Sequence, residues 1–318
     1  MKAEFHAAQT PLENGFTVIE ASAGTGKTTT ISAIVLRLLA EQGIPIGKIL
    51  VTTYTELATA ELRGRIRETI SDALGQKLLP FVEEIVKKIP DRKQLERRLR
   101  SALQSFDEAP IFTIHGFCAR VLADRAFESG ASFEVELVAD QSRFLNEIAD
   151  DFWRAHFYGD DSVMATVLRG QLTPARLVEL LVQLTNNPTL RVTPPPENRT
   201  ALKEKIVELC AAGCDDEEIQ ELAKRFIVSL ESEFCGWAGE ELRRRKGDRR
   251  VRSFDDMLTR LDEALRGQVG AELRESLRER FAVALVDEFQ DTDPVQYSIF
   301  SQIYRDSDGL VFLIGDPK

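Results

Sequence analysis

The stretch VIEASAGTGKTTTISAIVLRLLAEQG, residues 18–43, joins a short apolar run, a glycine-bearing loop and an amphipathic helical pattern. Gly24 and Gly26 let the backbone turn tightly and aim N–H groups inward, and the N-terminus of the following helix adds positive potential for an anionic phosphate. The residues of the cradle are Ala21, Ser22, Ala23, Gly24, Thr25, Gly26, Lys27, Thr28 and Thr29. Lys27 is spaced to reach β and γ phosphates, and the Thr28 hydroxyl to meet Mg²⁺. Ala21 stands where a P-loop carries its first glycine, which is tolerable if that position keeps negative φ. The expected cofactors are ATP and Mg²⁺.

A phosphate cradle of this kind needs an acidic partner for the metal, and VALVDEFQDTDPVQ, residues 283–296, supplies one directly after an apolar run. Asp287 is placed to hold Mg²⁺ through water, and Glu288 to orient and deprotonate an attacking water. Gln290 is a candidate sensor of the γ phosphate or a surface side chain. Asp291 and Asp293 read as caps of the next helix, but capping does not explain two acids beside FAVALV, where desolvation makes charge costly. A water-activating pair favours hydrolysis over a P-loop kinase, from which water must be kept out. A nucleotide-gated scaffold without turnover is the alternative, and the intact Lys27, Asp287 and Glu288 count against it.

Working outward, residues 16–20, 49–54, 111–114, 281–286 and 310–314 are short, apolar and rich in β-branched or aromatic residues, as strands buried on both faces are. Helical patterns lie between most of them, at 27–41, 56–74, 92–106, 115–128 and 294–304. The alternation predicts an α/β fold with a parallel sheet and crossover helices. From 141 to 277 the strands stop and helical segments follow at 141–157, 173–185, 200–212, 216–246, 254–266 and 270–280. Two domains are expected: an ATP-binding domain of 1–140 and 278–318, and a helical domain of 141–277 inserted into it. TNNPTLRVTPPPENRT, residues 185–200, is the internal linker, because its proline triplet cannot continue a helix.

With 318 residues and 43% hydrophobic content the chain can bury a large core. No apolar run approaches the ~20 residues of a membrane span, and the start lacks the apolar block of a signal peptide, which points to the cytoplasm and no membrane partner. Cys118, Cys210, Cys214 and Cys235 are too few and too irregular for a disulfide framework, and neither they nor nearby histidines complete a metal site. The net charge of −11 counts against nucleic-acid binding by the molecule as a whole. Local runs matter more: Arg63, Arg65 and Arg67 lie close together, and ELRRRKGDRRVR, residues 241–252, is either a positive track or a solvated helix face.

Six stretches in order resemble the UvrD/Rep-like superfamily 1 helicases, and among them the RecB-type helicase-nuclease chains (exodeoxyribonuclease V beta subunit). They are VIEASAGTGKT, ILVTTYTELATAELRGRIR, IFTIHGFCARVL, SFDDMLTRLDEAL, VDEFQDTDPVQYSIF and LIGDPK. Residues 140–250 match nothing beyond a helical insertion. The resemblance implies that the sheet is the first of two RecA-like motor domains, with the helical insertion as its accessory domain over DNA. It also implies a role in double-strand break repair and recombination, single-stranded or duplex-end DNA as substrate, and RecC-like and RecD-like partner subunits.

The same resemblance puts DNA contacts at Thr53, Tyr54 and Thr55, whose hydroxyls can meet phosphate while the aromatic offers a base a stacking face. Tyr54 can equally pack under the sheet edge. Arg63, Thr113 and His115 extend the track, with His115 also placed to cap a helix. Gln9 corresponds to a glutamine that contacts adenine in related motors. Ser253, with Asp256 three residues on, forms a capping box. GDPK after the last strand suggests that the natural chain continues, with the second motor supplying an arginine to the γ phosphate. Such an arginine is worth about 10³–10⁵ in rate, so this chain is expected to bind nucleotide, turn it over poorly and not unwind DNA.

Overall fold

A computed structural model describes residues 5–21, 26–75, 79–128, 136–137, 141–157, 172–186, 191–213, 216–249 and 251–316. Four members of the phosphate loop, Ser22, Ala23, Gly24 and Thr25, lie outside them, as does Cys214. The chain forms two compact units, residues 1–133 with 255–318, and residues 134–254.

The first unit is built on strands β1 (Gly15–Glu20), β2 (Ile49–Thr53), β3 (Ile111–Thr113), β6 (Val283–Val286) and β7 (Leu310–Gly315). They pair in the order β1-β7-β6-β2-β3, all parallel, with Val18 opposite Leu313, Val283 opposite both Leu310 and Ile49, and Val51 opposite Ile111. This is the expected α/β class, and all five strands were legible as apolar runs because both sheet faces are covered. Alternate residues serve the two faces. Val51, Leu285 and Phe312 pack with Ile34, Ile66, Ile70 and Leu99 of α1 (Lys27–Arg37), α2 (Glu56–Leu74) and α4 (Arg92–Gln104). Leu50, Ala284 and Val311 pack with Phe117, Met257, Leu261 and Phe300 of α5 (Ile114–Glu128), α10 (Phe254–Arg266) and α12 (Pro294–Tyr304).

Local chemistry sets the helix starts. Thr55 accepts from Ala58 N ahead of α2, and Asp91 from Gln94 N ahead of α4. Asp293 accepts from Val295 N and Gln296 N with Pro294 at the first helical position of α12, the capping role expected of it. Helix α3 (Pro80–Lys87) was not foreseen; it buries Val82, Ile85 and Val86. The expected boundary at 277 also differs from the structure. Helices α10 and α11 (Gly270–Arg280) were assigned to the insertion, yet Met257, Leu258, Leu261, Leu265 and Leu277 lie in the core under the sheet.

The second unit contains α6 (Ser142–Phe157), α7 (Pro174–Asn186), α8 (Arg199–Ala212) and α9 (Asp216–Asp248), packed through Phe144, Ile148, Phe152, Leu177, Leu181, Ile206, Phe226 and Phe234. One pair of two-residue strands, β4 (Glu136–Leu137) and β5 (Val251–Arg252), runs parallel where the sequence suggested none. The proline-rich connection is tacked along α9: Ser232 donates to Pro194 O at 2.8 Å, and Arg225 reaches Glu197 at 2.6 Å. The basic run of α9 is largely neutralised within the unit. Arg244 pairs with Glu241 and Asp248, Arg245 with Glu241 and Asp151, and Arg249 with Glu147. No described helix is long and apolar enough to cross a membrane.

Candidate nucleotide site and nucleic-acid interface

The described candidates Lys27, Asp287, Glu288 and Gln290 come together at the carboxyl ends of β1, β6 and β7. Ala21 N donates to Gly315 O at 2.8 Å, tying the exit of β1 to the end of β7. Gly26 then takes φ +95, a left-handed conformation that glycine adopts without strain, and α1 begins at Lys27. Thr28 is half-buried in the first turn, its carbonyl accepting from Ser32 Oγ, and Thr29 is exposed.

The Lys27 ammonium meets Glu288 Oε2 at 2.5 Å. Burial pulls the Lys27 pKa down, but the hydrogen bond and charge of Glu288, helped by Asp287 and Asp316, outweigh it and hold the pKa above its ordinary value. Asp287 N donates to Thr52 O at 2.9 Å, which anchors the acid at the sheet edge between β6 and β2. Burial pushes the Asp287 carboxyl above the usual carboxylate range, against the hydrogen bond it accepts from Glu288 N. Glu288 adopts φ +53, the one positive φ of a non-glycine among the described residues. That strained backbone aims its side chain at Lys27 instead of along the strand.

Gln290 joins the same cluster. Its amide nitrogen donates to Glu288 Oε2 at 2.5 Å and to Asp291 Oδ2 at 3.0 Å, while its oxygen accepts from Asp316 N at 2.9 Å. Gly315 makes this approach possible, since a Cβ there would stand 2.6 Å from Gln290 Oε1. Gly315 and Asp316 had no assigned role beyond the GDPK match; a glycine ending a buried strand was the available signal. Thr28 and Asp287 offer a hydroxyl and a carboxylate, the oxygen donors Mg²⁺ takes.

Gln9 sits on an exposed turn and donates to Glu84 Oε1. Buried Arg37 holds that turn by donating to Ala7 O at 3.2 Å and Thr10 O at 2.6 Å, with Glu41 bracing the guanidinium.

Of the expected DNA contacts, Tyr54 is 54% exposed at the end of β2 and Thr55 is exposed as the α2 cap. Thr53 is buried, sharing a hydrogen bond with Thr59 at 2.5 Å. Arg63 donates to Ile111 O at 2.9 Å and Ala109 O at 3.4 Å, bracing the entry to β3. Thr113 donates to Glu56 at 3.1 Å and accepts from Gly116 N, capping α5, whose first turn carries half-buried His115. Arg63, Thr113 and Gly116 line one cleft of about 310 Å³ with Glu56, Thr59 and Phe112.

The UvrD/REP helicase N-terminal domain matches residues 1–318. The chain is 33% identical to RecBCD enzyme subunit RecB of Escherichia coli (strain K12), over 97% of this chain and 34% of that protein. It is 34% identical to RecBCD enzyme subunit RecB of Mycobacterium tuberculosis (strain ATCC 25618 / H37Rv), over 97% and 26%. The same subunit of Haemophilus influenzae is 30% identical, over 96% and 36%. The chain thus spans about a third of the length of these relatives or less. With the sheet, the Lys27–Glu288 contact and these matches together, the chain belongs to the UvrD/REP helicase family.

Proposed function

We propose that this chain is the ATP-binding motor portion of a RecB-type, ATP-dependent DNA helicase acting in double-strand break repair and recombination. The observation that carries the reading is the convergence of Lys27 and Gln290 on one carboxylate oxygen of Glu288, beside Asp287. Lys27 and the loop from Ala21 to Thr29 bind the phosphates. Thr28 and Asp287 hold Mg²⁺, which supplies charge neutralisation at the phosphates when bound. Glu288 acts as the base toward water, and Gln290 carries the state of that carboxylate to Asp316 at the end of β7.

Tyr54 and Thr55 meet single-stranded DNA by stacking and by phosphate contact, with Arg63 and Thr113 lining the adjoining cleft and His115 extending the track in the first turn of α5. Gln9 reads the adenine edge. RecC-like and RecD-like subunits are the expected partners of a full-length protein, because the relatives are named as subunits of the RecBCD enzyme, and the cytoplasm is the expected compartment. The 318-residue chain binds ATP but turns it over slowly, without unwinding, if a γ-phosphate arginine comes from a second motor. Isothermal titration with ATP tests the site: binding requires Mg²⁺ and is lost in Lys27→Ala. Equal affinity in the two proteins sinks the assignment.

A further inference from the structure

Helix α4 carries Arg92, Lys93, Arg97, Arg98 and Arg100 against a single carboxylate, Glu96, in a chain whose net charge is −11. Its cations differ from the basic run that closes α9, where Arg244 and Arg245, and Arg249 just past the helix end, face carboxylates. Among the described residues no carboxylate lies within ion-pair distance of Arg92, Lys93 or Arg97, all three exposed, and Arg100 reaches Glu96 only at 4.0 Å. Arg92 and Lys93 also occupy the first turn, where the helix dipole disfavours positive charge. Within α4 the one acid near these charges is Glu96, and ahead of it stands the Asp91 cap.

Lys93, Arg97 and Arg100 follow the i, i+4, i+7 spacing of one helix face and span about 10 Å. One strand of a duplex presents a phosphate about every 3.4 Å of axis, so the stripe matches about three phosphates. Beside it lies a groove of about 400 Å³, lined on one wall by Gln94, Arg97, Arg98, Ser101 and Ser105 and floored by Leu39 and Ile44 to Ile46. Arginine, glutamine and serine are the side chains that contact phosphate and sugar without reading sequence. Arg98 donates to Ala40 O at 2.6 Å, which ties its guanidinium to the turn that follows α1. The groove lies at the far end of α1 from Lys27, about 20 Å along the helix, and apart from the Tyr54 end of the sheet.

We propose that α4 and this groove form a second, sequence-independent DNA-backbone site that holds duplex DNA away from the nucleotide end of the sheet. The nucleic-acid class rests on the DNA-motor reading above; the location rests on α4 alone. The test is fluorescence anisotropy of the 318-residue chain with a fluorescein-labelled 20-bp duplex across a salt series. In the Lys93→Gln/Arg97→Gln/Arg100→Gln variant, affinity at low salt falls at least tenfold, and the slope of log K against log salt becomes shallower by about 2.7, three phosphates at about 0.9 each. If the triple variant folds poorly, Arg97→Gln alone reduces the slope by about 0.9. A labelled single strand with Tyr54→Ala separates the two readings, since that variant weakens single-strand binding and leaves the duplex slope unchanged. Wild-type duplex affinity and slope in the triple variant overturn the proposal. So does a wild-type chain that ignores the duplex but binds a labelled polyglutamate peptide through α4.

Discussion

Lys27 and Glu288, 261 positions apart in the chain, meet at 2.5 Å at the carboxyl edge of the sheet. Gln290 donates to the same carboxylate oxygen, so Glu288 is oriented from two sides and its αL backbone is kept in place by what it contacts. In Glu288→Gln the shape survives and the basicity is lost. Mg-ATP affinity is expected to stay within a few-fold, while hydrolysis falls by about 10²–10⁴, the usual contribution of a positioned base. Titration calorimetry paired with a phosphate-release assay reads both; a parallel loss of binding and turnover assigns Glu288 to binding instead.

Gly270 opens α11 where the backbone of α10 turns back on itself, and a Cβ there would stand 2.1 Å from Leu265 O. Arg274 donates to that same carbonyl, so the oxygen is already committed. Gly270→Ala forces the α10–α11 turn apart beneath the sheet core. The expected cost is about 1–3 kcal/mol or more, seen as a lower urea midpoint. An unchanged midpoint means that the turn relaxes freely.

The sheet was legible because burial on both faces writes strands as unbroken apolar runs, and Lys27, Asp287 and Glu288 were legible because their chemistry demands those types beside a strand. The placement of α10 was not. Phe254 to Arg266 reads as an ordinary amphipathic helix, and nothing in its periodicity says whether Met257 and Leu261 face the sheet or the helical unit. Arg63 shows a second limit: a surface helix arginine looks available to phosphate, yet its guanidinium is engaged by Ala109 O and Ile111 O, 46 and 48 residues away. The basic run of α9 fails the same way, since Asp151 and Glu147, which neutralise Arg245 and Arg249, are distant in sequence. Gly315 carried a signal without a partner, because its need for a small residue arises only when Gln290 arrives.

Glu241 gives the second unit a pH dependence. Hydrogen bonds from Arg244, and then from Arg245, hold its carboxyl at about 2 against the opposing effect of burial. A depressed folded-state value means that the stabilisation is complete above the unfolded value of about 4.3 and disappears as pH falls toward 2. With Arg244 itself 61% exposed, solvent screening keeps the contribution to about 1 kcal/mol or less. Glu241→Gln is therefore expected to lower the unfolding midpoint at pH 7, with the gap to wild type narrowing through pH 4 and nearly closed at pH 2.5. A gap that stays constant with pH assigns the loss to packing.

Tyr54 and Arg63 separate contact from support. Tyr54 is exposed at the end of β2 and can offer a ring to a base, whereas Arg63 is occupied in bracing the entry to β3. Stacking on an aromatic is worth about 1–3 kcal/mol per base, so Tyr54→Ala is expected to weaken binding of a labelled single strand by about 5- to 150-fold with little change in melting temperature. Arg63→Ala removes the guanidinium donor from Ile111 O, while Ala109 O keeps the Ile111 N–H, and is expected to cost about 1–3 kcal/mol of stability, while the affinity of the folded protein changes by less than in Tyr54→Ala. Anisotropy and thermal melting on the same two variants decide it. The reverse pattern, with affinity lost in Arg63→Ala and stability lost in Tyr54→Ala, moves the DNA track off β2 and into the cleft between α2 and α5.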